Sequence, residues 1–417
     1  MLQAGFGKAD MTPPLGTELA GYGYYLQRRC QRVDDPLFVR ALALSAEAGP
    51  CFLICCDCLG LSMAVANQVK ESLQKEYGVQ KEHVTMVSIH THTGPAIKRH
   101  EGCGEVNEEY VKTLPGIILN ACRAAMGDLS PVSALRFIMN PLDTPIAYNR
   151  AFAQNPVDGM ARFFKIERME KRPLILASYA CHAVCRGVSP NVSADYPGQI
   201  CQRIEKMGAD GLYLNGLCGD IDPIRCQEGE REKRLSDFAD TVLSALHGEG
   251  EALPLSLASG AVEETLFLRS LTREQLHALS DEANRQETVP PGGGRVARAW
   301  ERELMEKAWP LPTQETFSSH YLCLGGVPIV ALPFEGYTQT GVIIRRILSD
   351  ERALCLGCQE EMLGYLPTMD DYDRRSYAAQ DAFFLYRRVP TLRGEAERIG
   401  NAIGEKLKAR LKKEAAV

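Results

Sequence analysis

Short apolar runs of strand length, each followed by a helical or turn-rich stretch, recur along the chain and restrict what it can fold into. Residues 36–45 (PLFVRALALS) and the run at 51–56 lead into a polar helical stretch over 64–77, where Glu71 and Lys75 lie four apart on one face. The strand VTMVSIH at 84–90 follows, completing a strand, helix, strand unit. The alternation returns at 174–179, with a helix over 197–206 and the strand GLYLNG at 211–216. The predicted fold class is α/β, a mixed β-sheet core with flanking helices. With 417 residues, no internal repeat and no low-complexity linker, the simplest organisation is one domain over 1–417. Residues 270–312 change texture: two charged helical stretches, 272–286 and 295–309, flank Val289, Pro290, Pro291, Gly292, Gly293 and Gly294. This reads as a helical hairpin inserted into the domain, either an exposed decoration or a lid over a site.

Charge and composition remove several function classes. The formal net charge is -6 and the basic residues are scattered, so nucleic acid finds no electrostatic footprint. Apolar runs such as CFLICC and VPIVALPF are strand length, far short of the ~18 apolar residues of a spanning helix, so no integral membrane segment is expected. The N-terminal MLQAGFGKADMTPP lacks the apolar stretch of a signal peptide. Fifteen cysteines lie within apolar runs rather than at framework spacings, which predicts reduced thiols and a cytoplasmic protein.

Four segments carry candidate chemistry. In Ser88-Ile89-His90-Thr91-His92-Thr93-Gly94-Pro95, residues two apart on a strand share a face, so His90 and His92 can share a metal or divide ligand and acid/base duties. His182, one of eight histidines, follows the apolar strand ILASYAC and is either structural or a ligand. Downstream, Asp195 in Ser193-Ala194-Asp195-Tyr196-Pro197-Gly198 could cap a helix or support a ligand histidine. The Gly-rich turn Gly219-Asp220-Ile221-Asp222-Pro223 would display two carboxylates. Glu335 follows the apolar strand VPIVALPF, where an acid either emerges into solvent or takes a partner such as a metal.

In order along the chain, these pieces resemble the catalytic domain of the neutral/alkaline, non-lysosomal ceramidases. The match runs through Gly7-Lys8-Ala9-Asp10-Met11-Thr12-Pro13-Pro14, Ala20-Gly21-Tyr22, Asp35-Pro36-Leu37, and the His90-to-Pro95 motif. It continues through Asn149-Arg150 with Asn155-Pro156, His182, Ser193-to-Gly198 and Gly219-to-Pro223. The resemblance implies a ceramidase-like fold and a zinc ion held by His90, His182 and Glu335, with Tyr365 as the fourth ligand. It places His92 and Arg150 where the family binds the scissile group and moves protons. Two departures stand out: Asp222 occupies the position of a family serine, and the chain ends soon after its last motif, without the family's C-terminal β-rich domain.

The expected activity is therefore hydrolysis of an amide, or an ester, by a zinc-activated water, with His92, Arg150 and Asp222 as the catalytic groups. The substrate would be a small-molecule, glycan- or lipid-derived acyl compound more polar than ceramide; a homo-oligomer is left open. The competing expectations are a metal-binding protein of the same fold without turnover, and a cysteine nucleophile at Cys181 or Cys218.

Overall fold

Strands whose residues are buried on both faces build the centre of the molecule, as expected where helices cover a sheet. Val84–Ser88 and Leu174–Tyr179 are buried throughout. The computed structural model describes residues 1–285 and 292–414. In spatial order the main sheet runs Asp210–Asn215, Leu174–Tyr179, Met160–Arg168, Ser130–Pro141, Gln3–Asp10, Phe38–Ala46, Gly49–Cys56 and Val84–Ser88, with the short Glu251–Ala252 also on Ser130–Pro141. Its interior pairs are antiparallel and its two outermost pairs are parallel. The parallel edges set Cys56 beside Ser88 and Tyr179 beside Asn215, so each edge sends two chain segments out at the same end.

Those edges also approach each other. The Cys55 thiol donates to the Tyr213 carbonyl at 3.1 Å, and Asn215 Nδ2 donates to the Ile89 carbonyl at 3.0 Å. The segments after Cys56, Ser88, Tyr179 and Asn215 therefore gather, which is where α/β sheets place ligands. These segments carry His90, His92, His182 and Asp222.

A second sheet, ordered Leu257–Phe267, Gln314–Leu324, Val327–Ala331 and Leu354–Leu356, packs against the first. Strand alternation divides its side chains between two apolar clusters. Ile329 and Ala331 join the cluster under the main sheet, whereas Val330 and Leu332 face a second cluster formed with the C-terminal helix Glu395–Glu414. The helices at Arg273–Arg285 and Gly293–Glu306 contribute Leu276, Ala283, Val296, Trp300 and Leu304 to that second cluster. They are thus packed into the protein rather than displayed on it; Val289, Pro290 and Pro291 of the expected hairpin tip lie outside the described residues.

Several sequence expectations shift by a residue or two for visible reasons. The helix expected over 64–77 is Met63–Tyr77, started by the Ser62 hydroxyl accepting from Val65 N–H and stopped by Gly78 in the left-handed region. The strand expected over 84–90 ends at Ser88, because His90 has a φ of 63°, outside the strand region. The apolar run before Glu335 forms a strand only over Val327–Ala331, and Glu335 belongs to a separate short ladder. No helix among the described residues is long and apolar enough to cross a membrane.

One buried ion pair anchors the loop beneath the histidines. Arg40 Nη1 lies 2.8 and 2.7 Å from the two Asp57 oxygens, with both side chains almost fully buried, and Asp57 also accepts from Phe38 N–H at 2.9 Å. The next residue, Cys58, accepts the His90 N–H at 3.0 Å. Asp57→Ala would strand the guanidinium in the core, and is expected to destabilise the protein by about 3–5 kcal/mol in denaturant titration. A loss below about 1 kcal/mol would contradict the pair's structural importance.

Candidate active site

His90 is held from two sides. Its N–H bonds to the Cys58 carbonyl and its Nδ1 lies 2.9 Å from the Leu59 carbonyl, so Nδ1 carries the proton and the Nε2 lone pair faces inward. The left-handed backbone at His90 turns the chain so that His92 returns beside it, with ring centroids 5.0 Å apart. The two imidazoles meet as the spacing suggested, but through this turn rather than through strand alternation.

His182 is oriented the same way. Its Nδ1 lies 2.6 Å from the Cys218 carbonyl and 3.1 Å from the Ile221 carbonyl, which turns Nε2 toward Glu335 Oε2 at 3.0 Å. Asp195 supports the turn after His182 without touching the imidazole: its carboxylate accepts from the N–H groups of Cys185, Arg186 and Tyr196. It lies inside the helix Asp195–Lys206, whose N-cap position is Ala194, so it is not the capping residue.

Glu335 arrives from the other sheet. Its residue pairs with Tyr365 in the parallel ladder Glu335–Gly336 with Tyr365–Leu366. Oε2 lies 3.2 Å from His90 Nε2, too poorly aligned for a hydrogen bond, while Oε1 accepts from the Tyr386 hydroxyl. Glu335 is 3% exposed, so the alternative of an acid emerging into solvent does not hold, and its carboxylate takes His182 and Tyr386 as partners. Close approach is secured at Gly219, where a Cβ would stand 2.4 Å from the Glu335 carbonyl oxygen.

The Gly-rich turn divides its two acids between different tasks. Asp220 is buried, accepting from Asn149 Nδ2 at 2.8 Å and from the Thr338 N–H and hydroxyl at 2.9 and 3.0 Å. Asp222 remains half-buried, with Oδ1 3.3 Å from Arg150 Nη1 and 3.7 Å from His182 Nδ1. Arg150 also donates from Nε to the Gly219 carbonyl at 3.1 Å and from Nη2 to the Tyr365 hydroxyl at 2.6 Å. All seven residues singled out in the sequence thus meet in one region. Tyr386 was missed, since nothing in its local pattern sets it apart from a core aromatic. Tyr22 was noted only as part of a motif; its ring stacks edge-on to His92 at 5.0 Å.

The electrostatics of the group are uneven. Burial alone would raise the Glu335 carboxyl, but the His90 and His182 imidazoles outweigh it and hold it well below the usual carboxylate range. Burial and Arg150 push the His182 imidazole down, yet Cys218 and Glu335 carry it up to about 10. His92 goes the opposite way: burial, then His90 and His182, push it well below the ordinary value. The cluster stabilises one positive charge against Glu335 and resists a second.

That is the environment of a cation site. The donor atoms of His90, His92 and His182 lie within 4.8 Å of one another. His90 Nε2 and both His92 ring nitrogens are buried without a hydrogen-bond partner among the described residues. Imidazole nitrogens with a carboxylate oxygen fit zinc by donor type, and the carbonyls behind His90 and His182 are the usual outer support of such ligands. Cys181 and Cys218 are buried, and His182 Nδ1 bonds the Cys218 carbonyl. A cleft of about 1100 Å³ lies elsewhere, lined by Lys70, His320 and Glu360 among others. It includes none of the seven residues, and Lys70 and Glu360 neutralise each other within it.

The sequence matches no protein-family model and no curated protein. The structure shares the neutral ceramidase fold. It superposes on a crystal structure of neutral ceramidase from Pseudomonas aeruginosa with a TM-score of 0.76, at 16% identity, covering 98% of this chain and 75% of that one. A ceramidase structure described as complexed with C2 gives a TM-score of 0.74 at the same 16% identity and the same coverage.

Gly21 tests the wall behind His92. Its φ is 102°, and a Cβ there would lie 2.5 Å from His92 Cγ. Gly21→Ala is expected to cost more than about 1 kcal/mol of stability and to displace His92, read by thermal unfolding and by the His92 ring resonances. Unchanged stability and unchanged resonances would refute the close packing.

Proposed function

We propose that the chain belongs with the neutral ceramidases in chemistry as well as fold, and hydrolyses an amide, or an ester, with a bound zinc ion. The observation that carries this reading is the convergence of His90, His182 and Glu335, distant in sequence, on one buried point, with both Nε2 atoms and Oε2 turned toward one another. These three would hold the ion. Tyr365, laddered to Glu335, would complete the set, and Tyr386 would fix the carboxylate. When bound, zinc supplies Lewis-acid polarisation and a water acidic enough to react near neutral pH.

The chain's own residues would do the rest. His92, with neither ring nitrogen committed, would take a proton from the attacking water and return it to the leaving group. Arg150, fixed by Gly219, Asp222 and Tyr365, would stabilise negative charge developing on the scissile oxygen. The partly exposed Asp222 favours a substrate more polar than ceramide. The catalytic unit would span 1–417, with the helices of 270–312 as an insertion, because the contributing residues run from His90 to Tyr386. A cytoplasmic location is proposed from the thiol-rich composition. The alternative, zinc binding without turnover, is the outcome in which metal is stoichiometric but no acyl compound is cleaved.

Two measurements decide. His90→Ala should abolish both bound zinc, by elemental analysis, and hydrolysis, whereas chelation and zinc readdition should remove and restore activity in the unaltered protein; full activity without metal would overturn the scheme. Arg150→Lys should keep zinc but lower kcat by about 10²–10³, the range for losing a donor to a developing oxyanion. A change in KM alone would remove Arg150 from that role.

A further inference from the structure

The rim of the site offers a partly exposed acid, Asp222. Arg150 is its nearest cation, and each of its three nitrogens already has a partner: the Gly219 carbonyl, Asp222 Oδ1 and the Tyr365 hydroxyl. Glu335 is enclosed by His90, His182 and Tyr386. Asp222 differs from both. Its side chain is 24% exposed, only Oδ1 is engaged, and a carboxylate accepts at about four lone-pair positions. The short ladder Ile221–Pro223 with Ala147–Asn149 holds it in place, and the His182 N–H bond to the Ile221 carbonyl ties that ladder to the imidazole beside it.

Resting on the hydrolase reading above, we infer that Asp222 is a specificity-determining residue that receives a cationic group of the substrate, selecting amides that carry a second, protonated amine. The geometry favours this over an anionic group for two reasons. A carboxylate arriving at this rim would meet Asp222 directly, and Arg150, the guanidinium beside it, is already paired with that acid. An ammonium can instead take the unused Asp222 oxygen while Arg150 keeps Oδ1. A neutral hydroxyl could bond the same carboxylate but would lack the charge–charge attraction that an ammonium adds.

The test uses three amides with the same acyl group and the same four-carbon arm: N-acetylputrescine, N-acetyl-4-aminobutanol and N-acetyl-4-aminobutyrate. On the zinc-loaded enzyme, kcat/KM is expected to fall in that order, with the ammonium compound favoured over the carboxylate by about tenfold or more, the size of one hydrogen bond to a charged group. Asp222→Ser and Asp222→Asn should bring the ratio close to one. Calorimetry of putrescine and 4-aminobutyrate provides a readout independent of turnover: putrescine should bind more tightly to the unaltered protein and lose that advantage in both variants. Equal kcat/KM values in the unaltered enzyme, or a preference that survives both substitutions, would overturn the inference while leaving the hydrolase reading intact. If none of the amides is cleaved, hydrolysis of these compounds fails, and calorimetry alone decides Asp222: a putrescine preference lost on substitution supports it, and equal binding rejects it.

Discussion

A carboxylate buried between two imidazoles is the constraint that organises this protein. Removing an anion from water costs several kcal/mol unless charge and hydrogen bonds replace the solvent. Glu335 finds one hydrogen bond from Tyr386 and one from His182, with His90 alongside. The remaining demand is for positive charge. A proton on an imidazole or a divalent ion can meet it, and these two compete, so occupancy by metal would weaken in acid. The carbonyls of Leu59, Cys218 and Ile221 make the same statement from behind, each accepting from an Nδ1 so that the other nitrogen is left for the interior.

Much of the fold could be read from the chain because its strands are short, apolar and bounded by turn residues. Leu174–Tyr179 coincides with the expected 174–179, and the helix Met63–Tyr77 differs from expectation by its first residue. What periodicity could not supply is the arrangement at strand ends. His90 and His92 were brought together by reasoning from a strand that stops at Ser88, and the left-handed turn achieving it leaves no signature in composition. The curl that brings Cys55 to Tyr213 depends on contacts between residues 158 apart, invisible to any local window.

The candidate site shows the same division. Histidines are few enough to attract notice wherever they follow a strand. Tyr386 and Tyr22 carry no such mark, since a tyrosine in an aromatic-rich segment is ordinarily core. Asp195 illustrates a third case: a residue recognised as important, whose role in bonding three backbone N–H groups fits neither expected alternative. At 16% identity, the likeness to the ceramidases resides in this frame, and chemistry has to be argued from the side chains mounted on it.

Tyr386 sits at the end of the helix Ala382–Tyr386, and the neighbouring Phe384 ring stacks on Trp300 of the Gly293–Glu306 helix, 4.9 Å between centroids. Trp300 in turn donates to the Arg388 carbonyl at 2.8 Å. These helices therefore buttress the segment whose far side ends on the Glu335 carboxylate. Trimming them to shorten the chain would strip Trp300 and its neighbours from the second apolar cluster and slacken the Glu335 oxygen from a distance, so shape and site are tied together there.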